Sequence, residues 1–517
     1  MTVKTMNYWP QTGLMMDWSG MGLDDAFLND MKDKLAAAVA GMKELEGGAI
    51  ANPDEGRMVG HYWLRAPQLA PTAELRGEIE DCVSRIKDFV AKVHSGQVKT
   101  EKGDTFRHVI VGGIGGSSLG PMFVADALDS PEDKMDLYFM DNTDPAGMDK
   151  VFQAVKPDLD ATLTIIISKS GGTIETRNCM VEAKAFYEAN GLDFAKHAVC
   201  VTGAGSKLDG VASSEGWIDR FPMWDWVGGR TSVMSAVGLL PLALKGLDIN
   251  GFLAGAAACD SLGRNEDVFA NPGLLLALSW YRCSGGQGGT TQVVLPYKDS
   301  LMLFAKYLQQ LIMESLGKEF DLAGKEVHQG LAVMGNKGTS DQHSYVQQLV
   351  GGPSNIFVTF VQVLKDRAGA SMEVGEGSTS GDYLNAFMLG SKKALEDHGK
   401  RTLVITVPTV DAYNVGQLIA IFERAVSMYA IMIGINAYHQ PAVEFGKKAA
   451  GGLIELKNRA AETLLSAGKA LSAGDLAGQL GAAESDVFRL MLHLCSNDPR
   501  FTLEYRDPVE ETVFAAK

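Results

Sequence analysis

The feature that most constrains this chain is a repeated order: a short β-branched run, a turn rich in Gly and Ser, then a helical stretch. His108–Val111, Leu137–Met140, Leu163–Ile167 and Ala198–Val201 read as strands, and helical patterns follow the first three. That order specifies a parallel sheet covered by helices, because parallel neighbours need a crossover connection. A Gly-rich stretch from Ser284 to Thr291 precedes a second set of strands: Gln292–Leu295, Leu331–Val333, Ile356–Val363 and Thr402–Val407. Helical patterns at Leu301–Leu316 and Val415–Ile435 lie between or after them. The expected organisation is a helical extension over residues 1–100, a first α/β domain over 101–287, and a second over 288–517 that ends in helices.

Two of the turns are built to hold an anion. The first, Gly112-Gly113-Ile114-Gly115-Gly116-Ser117-Ser118, joins the strand His108–Val111 to a helix beginning near Leu119. Glycine lets backbone approach a ligand closely, and a helix start offers free N–H groups and the positive end of the dipole. A dinucleotide fingerprint would need its third Gly where Ser118 stands, and no Gly-Lys-Ser/Thr follows for a Walker loop. The second turn, Ser168-Lys169-Ser170-Gly171-Gly172-Thr173, gathers three hydroxyls and an ammonium at another helix start. Helix capping by Ser170 or Thr173 is the plainer reading of that turn alone. Two such turns at the carboxyl ends of successive strands favour a ligand, since open α/β sheets bind there.

Charge sets a boundary on that ligand. With a formal net charge of −16, general binding to nucleic acid or anionic membranes is not expected, and an anion must be captured by a local cradle. The six cysteines show no CxxC spacing, so neither a zinc knuckle nor a redox dithiol is expected, and their scarcity suits a reducing cytoplasm. Residues 1–10 do not read as a signal peptide. The most apolar helical patterns carry Pro241 or the Glu423-Arg424 pair, so no membrane span is expected.

Four further residues suit acid–base chemistry. Glu314 ends an apolar helical pattern that breaks at Gly317, and apolar neighbours near a helix end are the surroundings a general base requires. Arg230 follows two glycines at a helix start, where a guanidinium can meet developing negative charge. His343 lies in the polar run Gly338–Ser344, and Lys447 follows Gln440–Gly446; each alone is equally compatible with a surface role.

Together these runs closely resemble the glucose-6-phosphate isomerase family, of bacterial type. The matching motifs are GIGGSSLGP (113–121), SKSGGTIET (168–176), VGGRTSVMSAVGLLPLAL (227–244), MESLGK (313–318), DQHSYVQQL (341–349) and HQPAVEFGKK (439–448), in the family's order. The resemblance implies two sugar-isomerase domains, each a mainly parallel sheet sandwiched by helices. It further implies a homodimer acting on a small sugar phosphate, and that chemistry fits the residues without metal or cofactor. Glu314 then resembles the base that moves a proton between C1 and C2, His343 and Lys447 the ring-opening pair, and Arg230 the stabiliser of the enediol(ate). Ser168, Lys169 (through its backbone), Ser170 and Thr173 resemble the phosphate cradle; Gly116, Ser117, Glu175 and Gln440 match further substrate-binding positions. In the family the histidine matching His343 reaches into the neighbouring subunit's site. Ser170-Gly171-Gly172 and Thr339-Ser340-Asp341 depart from other branches, which leaves open a bifunctional phosphoglucose/phosphomannose isomerase. A non-catalytic sugar-phosphate regulator would need the cradle but not Glu314, His343 and Lys447.

Overall fold

The computed structural model describes residues 5–517, except the side chains of Glu444 and Lys447. Two bodies result: residues 5–439 and the smaller 440–517.

In the first body, β1 (Met6–Trp9) and β2 (Leu14–Asp17) form a hairpin within the stretch expected to be helical. Helices Lys32–Glu46 and Ala73–His94 follow. β3 (His108–Gly112), β4 (Asp136–Met140), β5 (Thr162–Ser168), β6 (Ala198–Thr202) and β7 (Asp219–Pro222) make an all-parallel sheet ordered β4-β3-β5-β6-β7. In strand succession this is 2-1-3-4-5, whose order reverses between β3 and β5, the point where such sheets hold ligands. Alternate residues explain the layering. Val109, Val111, Ile165 and Ile167 face one core, while Ile110, Ile166 and Cys200 face another under helices Pro145–Val155 and Ile174–Ala189.

The second sheet contains β8 (Thr290–Pro296), β11 (Leu331–Met334), β12 (Ile356–Val363) and β15 (Arg401–Val407), all parallel. Short ribbons lie outside it: β9 (Lys318–Phe320) with β10 (Glu326–Gln329), and β13 (Glu373–Gly375) with β14 (Ser378–Thr379). Its order, β1-β2-β15-β12-β8-β11, places the N-terminal hairpin antiparallel on β15, with Ile405 opposite Met16. Its parallel strands run 2-1-3-4 in chain order, the first sheet's order over again. Val294, Phe357 and Ile405 face the core shared with the first sheet; Val293, Val358 and Phe360 face a separate one under helix Ser380–Asp397. The chain is thus an α/β protein of two mainly parallel sheets covered by helices.

Helix Ala412–Ile433 is long and apolar enough to cross a membrane, but 89% of its most apolar stretch is buried within the protein, as in a core helix. It carries Glu423 and Arg424 into that core. Asp260 accepts from Arg65 Nε at 2.8 Å and Arg424 Nε at 2.6 Å, and Arg65 also pairs with Glu423. All four side chains are without solvent exposure. Burial works against ionisation of Asp260, but Arg424 and Arg65 outweigh it and hold its carboxyl below the usual range. For Glu423 burial wins and pushes the carboxyl up to about 7, despite Arg65.

The second body, Gln440–Lys517, contains helices Pro441–Ala467, Ala473–Leu480 and Glu484–Asn497. β16 (Leu471–Ser472), β17 (Phe501–Glu504) and β18 (Val513–Ala516) form a small antiparallel sheet beside them. Leu464, Leu476, Met491 and Phe514 build its own core.

Removing one member of a buried charge set strands the others without water, at a cost of about 3–5 kcal/mol. Asp260→Ala is therefore expected to lower the urea midpoint by a corresponding amount. Arg76→Ala, which breaks the half-exposed pair with Glu80, should change stability by less than about 1 kcal/mol.

Candidate active site

The two anion-ready turns lie side by side at the carboxyl ends of β3 and β5, where the first sheet's order reverses. A Cβ built on Gly113 would stand 3.3 Å from the Ile167 carbonyl oxygen. In the second turn the Ser168 hydroxyl accepts from Gly171 N–H and the Ser170 hydroxyl from Gly172 N–H, each at 3.1 Å. Gly171 has φ +64°, and a Cβ there would lie 2.3 Å from the Leu208 nitrogen, so the turn requires glycine. Thr173 precedes helix Ile174–Ala189 without its side chain capping it, which leaves the first N–H groups uncapped by that hydroxyl. Glu175 is half-buried in the helix's first turn. Beside this turn, Ser168, Gly171, Arg177 and Lys207 border a cavity of about 210 Å³.

Lys169 turns its side chain away to brace a neighbouring loop. Its ammonium donates to the Asp225 and Val227 carbonyls, both at 3.2 Å, and lies 3.4 Å from the Asp225 carboxylate. Burial draws this ammonium below its ordinary range, against the pull of Asp225. Only the backbone of Lys169 remains part of the turn, where its carbonyl accepts from Gly203 N–H at 3.0 Å.

The loop braced by Lys169 leads directly to Arg230. Gly116 packs so closely there that a Cβ would lie 1.9 Å from the Gly229 carbonyl oxygen and 2.9 Å from Arg230 nitrogen. Ser232 Oγ donates to the Gly229 carbonyl at 2.7 Å. The half-buried Ser117 sits in the same turn. Arg230, itself only 5% exposed, points Nη1 at the Glu314 carboxylate, 3.4 Å away, and Nη2 at the His439 carbonyl, also 3.4 Å. Burial lowers its pKa, while Glu314 opposes that shift.

The segment carrying Glu314 is not the regular helix expected over 301–316. A 3-10 turn at Asp299–Leu301 and a short α-helix at Phe304–Leu308 lead into a π-helix at Gln309–Glu314. The wider turn changes the direction of its last residue relative to an α-helix, a device common at functional sites. Leu311 and Ile312 are buried, whereas the Glu314 side chain, beside Arg230, retains 23% exposure. Gln310 from the same π-turn lies 3.1 Å from the Cβ position of Gly115, which joins this segment to the first anion-ready turn.

Among the expected residues, the fold thus gathers Gly116, Ser117, Ser168–Thr173, Arg230 and Glu314. His343 is exposed at the end of a 3-10 turn, Ser340–His343, on the loop after β11. The buried Asp341 fixes that loop by accepting from Asn336 N–H at 2.9 Å and from the Tyr345 hydroxyl. Gln440 opens the second body, and the side chain of Lys447 lies outside the described residues. Lys318, buried beside Glu314, was assigned no role from the sequence, although its i+4 spacing from Glu314 within MESLGK was a usable signal.

A family model described as phosphoglucose isomerase matches residues 17–395 and 384–464. The chain belongs to the phosphoglucose isomerase family. A glucose-6-phosphate isomerase of Desulfitobacterium hafniense is 55% identical over 511 residues, covering 98% of this chain and 96% of that protein. One from Geobacter sulfurreducens is 53% identical over 510 residues, with the same 98% and 96% coverage. The crystal structure of a glucose-6-phosphate isomerase from Chlamydia trachomatis matches with a TM-score of 0.79 at 26% identity, covering 88% of this chain and 90% of that one.

Gly171→Ala tests the anion-ready turn. The added methyl must displace Leu208 and strain a positive φ, at about 1 kcal/mol or more. Binding of inorganic phosphate, followed by calorimetric titration, should weaken at least about fivefold, since 1.4 kcal/mol corresponds to tenfold.

Proposed function

We propose that this chain is a glucose-6-phosphate isomerase, interconverting glucose 6-phosphate and fructose 6-phosphate. The observation that carries the reading is the pairing of Arg230 with Glu314 at 3.4 Å, on a segment joined to the first anion-ready turn. An aldose–ketose isomerisation needs one base to shuttle a proton between adjacent carbons and one cation to face the oxygen that gains charge. Glu314 fills the first role and Arg230 the second, across a cis-enediol(ate).

The phosphate anchors the substrate away from the reacting carbons, so binding energy there positions C1 and C2. The Ser170 and Thr173 hydroxyls and the turn's amides form the cradle. Ser168 shapes the turn through Gly171 and keeps its hydroxyl hydrogen for the phosphate. Gly116 and Ser117 border the sugar, and Glu175 and Gln440 complete the substrate contacts. His343 and Lys447 open the ring. The exposure of His343, on a loop held firm by Asp341, supports its donation to the site of a second copy, so the working unit is a homodimer. Lone cysteines without bridges support a cytoplasmic setting. The paired 2-1-3-4 strand orders support a domain division near residue 287; of the N-terminal extension proposed over residues 1–100, the hairpin Met6–Asp17 joins the second sheet.

Glu314→Gln keeps the side chain's shape and removes the base. In a coupled assay with fructose 6-phosphate, its kcat should fall roughly 10²–10⁴-fold, while wild-type activity survives EDTA. Wild-type rates in the folded variant would sink the assignment. Coexpression of Glu314→Gln with His343→Ala tests the shared site. If His343 acts across a twofold interface, random pairing restores about a quarter of wild-type activity. No recovery would place His343 in its own subunit's site.

A further inference from the structure

Lys318 takes no part in the chemistry above, yet it is 6% exposed and lies inside the site. Its ammonium donates to the Glu314 carbonyl at 2.7 Å and the His439 carbonyl at 2.8 Å. We propose that Lys318 is a positioning residue, whose clamp between these two carbonyls fixes the direction from which the Glu314 carboxylate faces Arg230. This role rests on the isomerase reading.

The local geometry gives the clamp its purpose. Carbonyls in the last turn of a helix have no onward partner within it, and here Gly317 follows the π-turn Gln309–Glu314 within three residues. The chain stops hard at Gly317, whose N–H donates to the Met313 carbonyl at 2.8 Å; a Cβ there would lie 2.7 Å from that oxygen. It then enters β9, which pairs with β10, and Leu322 N–H beyond it donates to the Gly434 carbonyl at 2.8 Å. Lys318 is therefore anchored through its backbone and reaches back four residues to hold Glu314.

The other end of the clamp is also fixed. Tyr438 donates its hydroxyl to Ser427 at 2.8 Å, and Asn436 donates to Asn52 at 2.9 Å and to Asp54 at 2.5 Å. The His439 carbonyl receives both Lys318 and Arg230, so one oxygen aligns the clamp with the guanidinium.

The groups facing Lys318 are Arg230, Glu314, Asp54 and the His439 ring. Burial and Arg230 push its ammonium down to about 7, against Glu314 and Asp54. A neutral amine still has two N–H groups, enough for both carbonyls. Positioning by hydrogen bonds therefore persists as pH rises through 7, whereas a role resting on charge or proton transfer fades.

The experiment compares wild type, Lys318→Met and Lys318→Gln as full-length proteins, with kcat and KM for fructose 6-phosphate measured from pH 6 to 9. Met fills similar volume without donors; Gln keeps two N–H groups without charge. The expected result is a kcat roughly 10–100-fold lower for Met, as for a slight misplacement of a reacting group. KM should stay within about threefold of wild type, since the phosphate anchor is untouched, with Gln intermediate. The wild-type-to-Met ratio should be constant across pH. A ratio collapsing toward one above pH 8, an unchanged kcat, or a loss confined to KM would each overturn the proposal. An inactive wild type would sink the isomerase reading instead. The clamp is then read by hydrogen exchange, which the Met substitution must speed at the 313–318 amides; unchanged exchange overturns it.

Discussion

Where Gly116 meets Gly229, two backbones pass so close that no methyl group could stand between them. This contact sets the turn after β3 against the loop that carries Arg230. On one side it carries the turn after β3, which abuts the turn after β5. On the other it carries Arg230, and through Arg230 the Glu314 carboxylate. Side chains could bridge a wider gap, but each added rotatable bond would loosen the angle between base and guanidinium. Glycine at position 116 removes that freedom and lets rigid backbone set the spacing.

Behind this contact stands a second constraint, a set of charges sealed from water. Asp260 is held by two arginines, and one of them reaches Glu423 on the central helix. The chain as a whole is strongly acidic, with a formal net charge of −16. Three of the cations at the site are held locally: Lys169 braces a loop, Lys318 holds two carbonyls, and Arg230 faces Glu314. An anionic ligand meets oriented amides and hydroxyls first, not a broad basic field.

The strands of both sheets were legible from their β-branched runs, and the two anion-ready turns of the first sheet from the Gly and Ser that end β3 and β5 before helices begin. β3, β5, β8 and β12 lie where these runs place them. The hairpin Met6–Asp17 was not legible: its strands are four residues each, rich in Met and Trp, and only pairing with β15 makes them strands. The π-turn at Gln309–Glu314 was hidden because apolar spacing over two turns does not separate 3.6 residues per turn from a single wider one. Arg230 and Glu314 were named from local context and the family resemblance, but their meeting at 3.4 Å is tertiary. Lys318 was overlooked because its partners are carbonyls, which every residue has and no residue type announces.

The hairpin also ties the order of synthesis to the order of folding. β2 pairs with residues 404–406, nearly four hundred positions later in the chain. At about 5–20 residues per second, β2 must wait on the order of half a minute for its neighbour to emerge. During that interval Trp9, Leu14 and Met16, buried in the finished protein, have no sheet to join. Those few apolar residues gain the sheet that buries them only once β15 exists. Their capture by β15 marks the moment when the second sheet, and the core it shares with the first, can close.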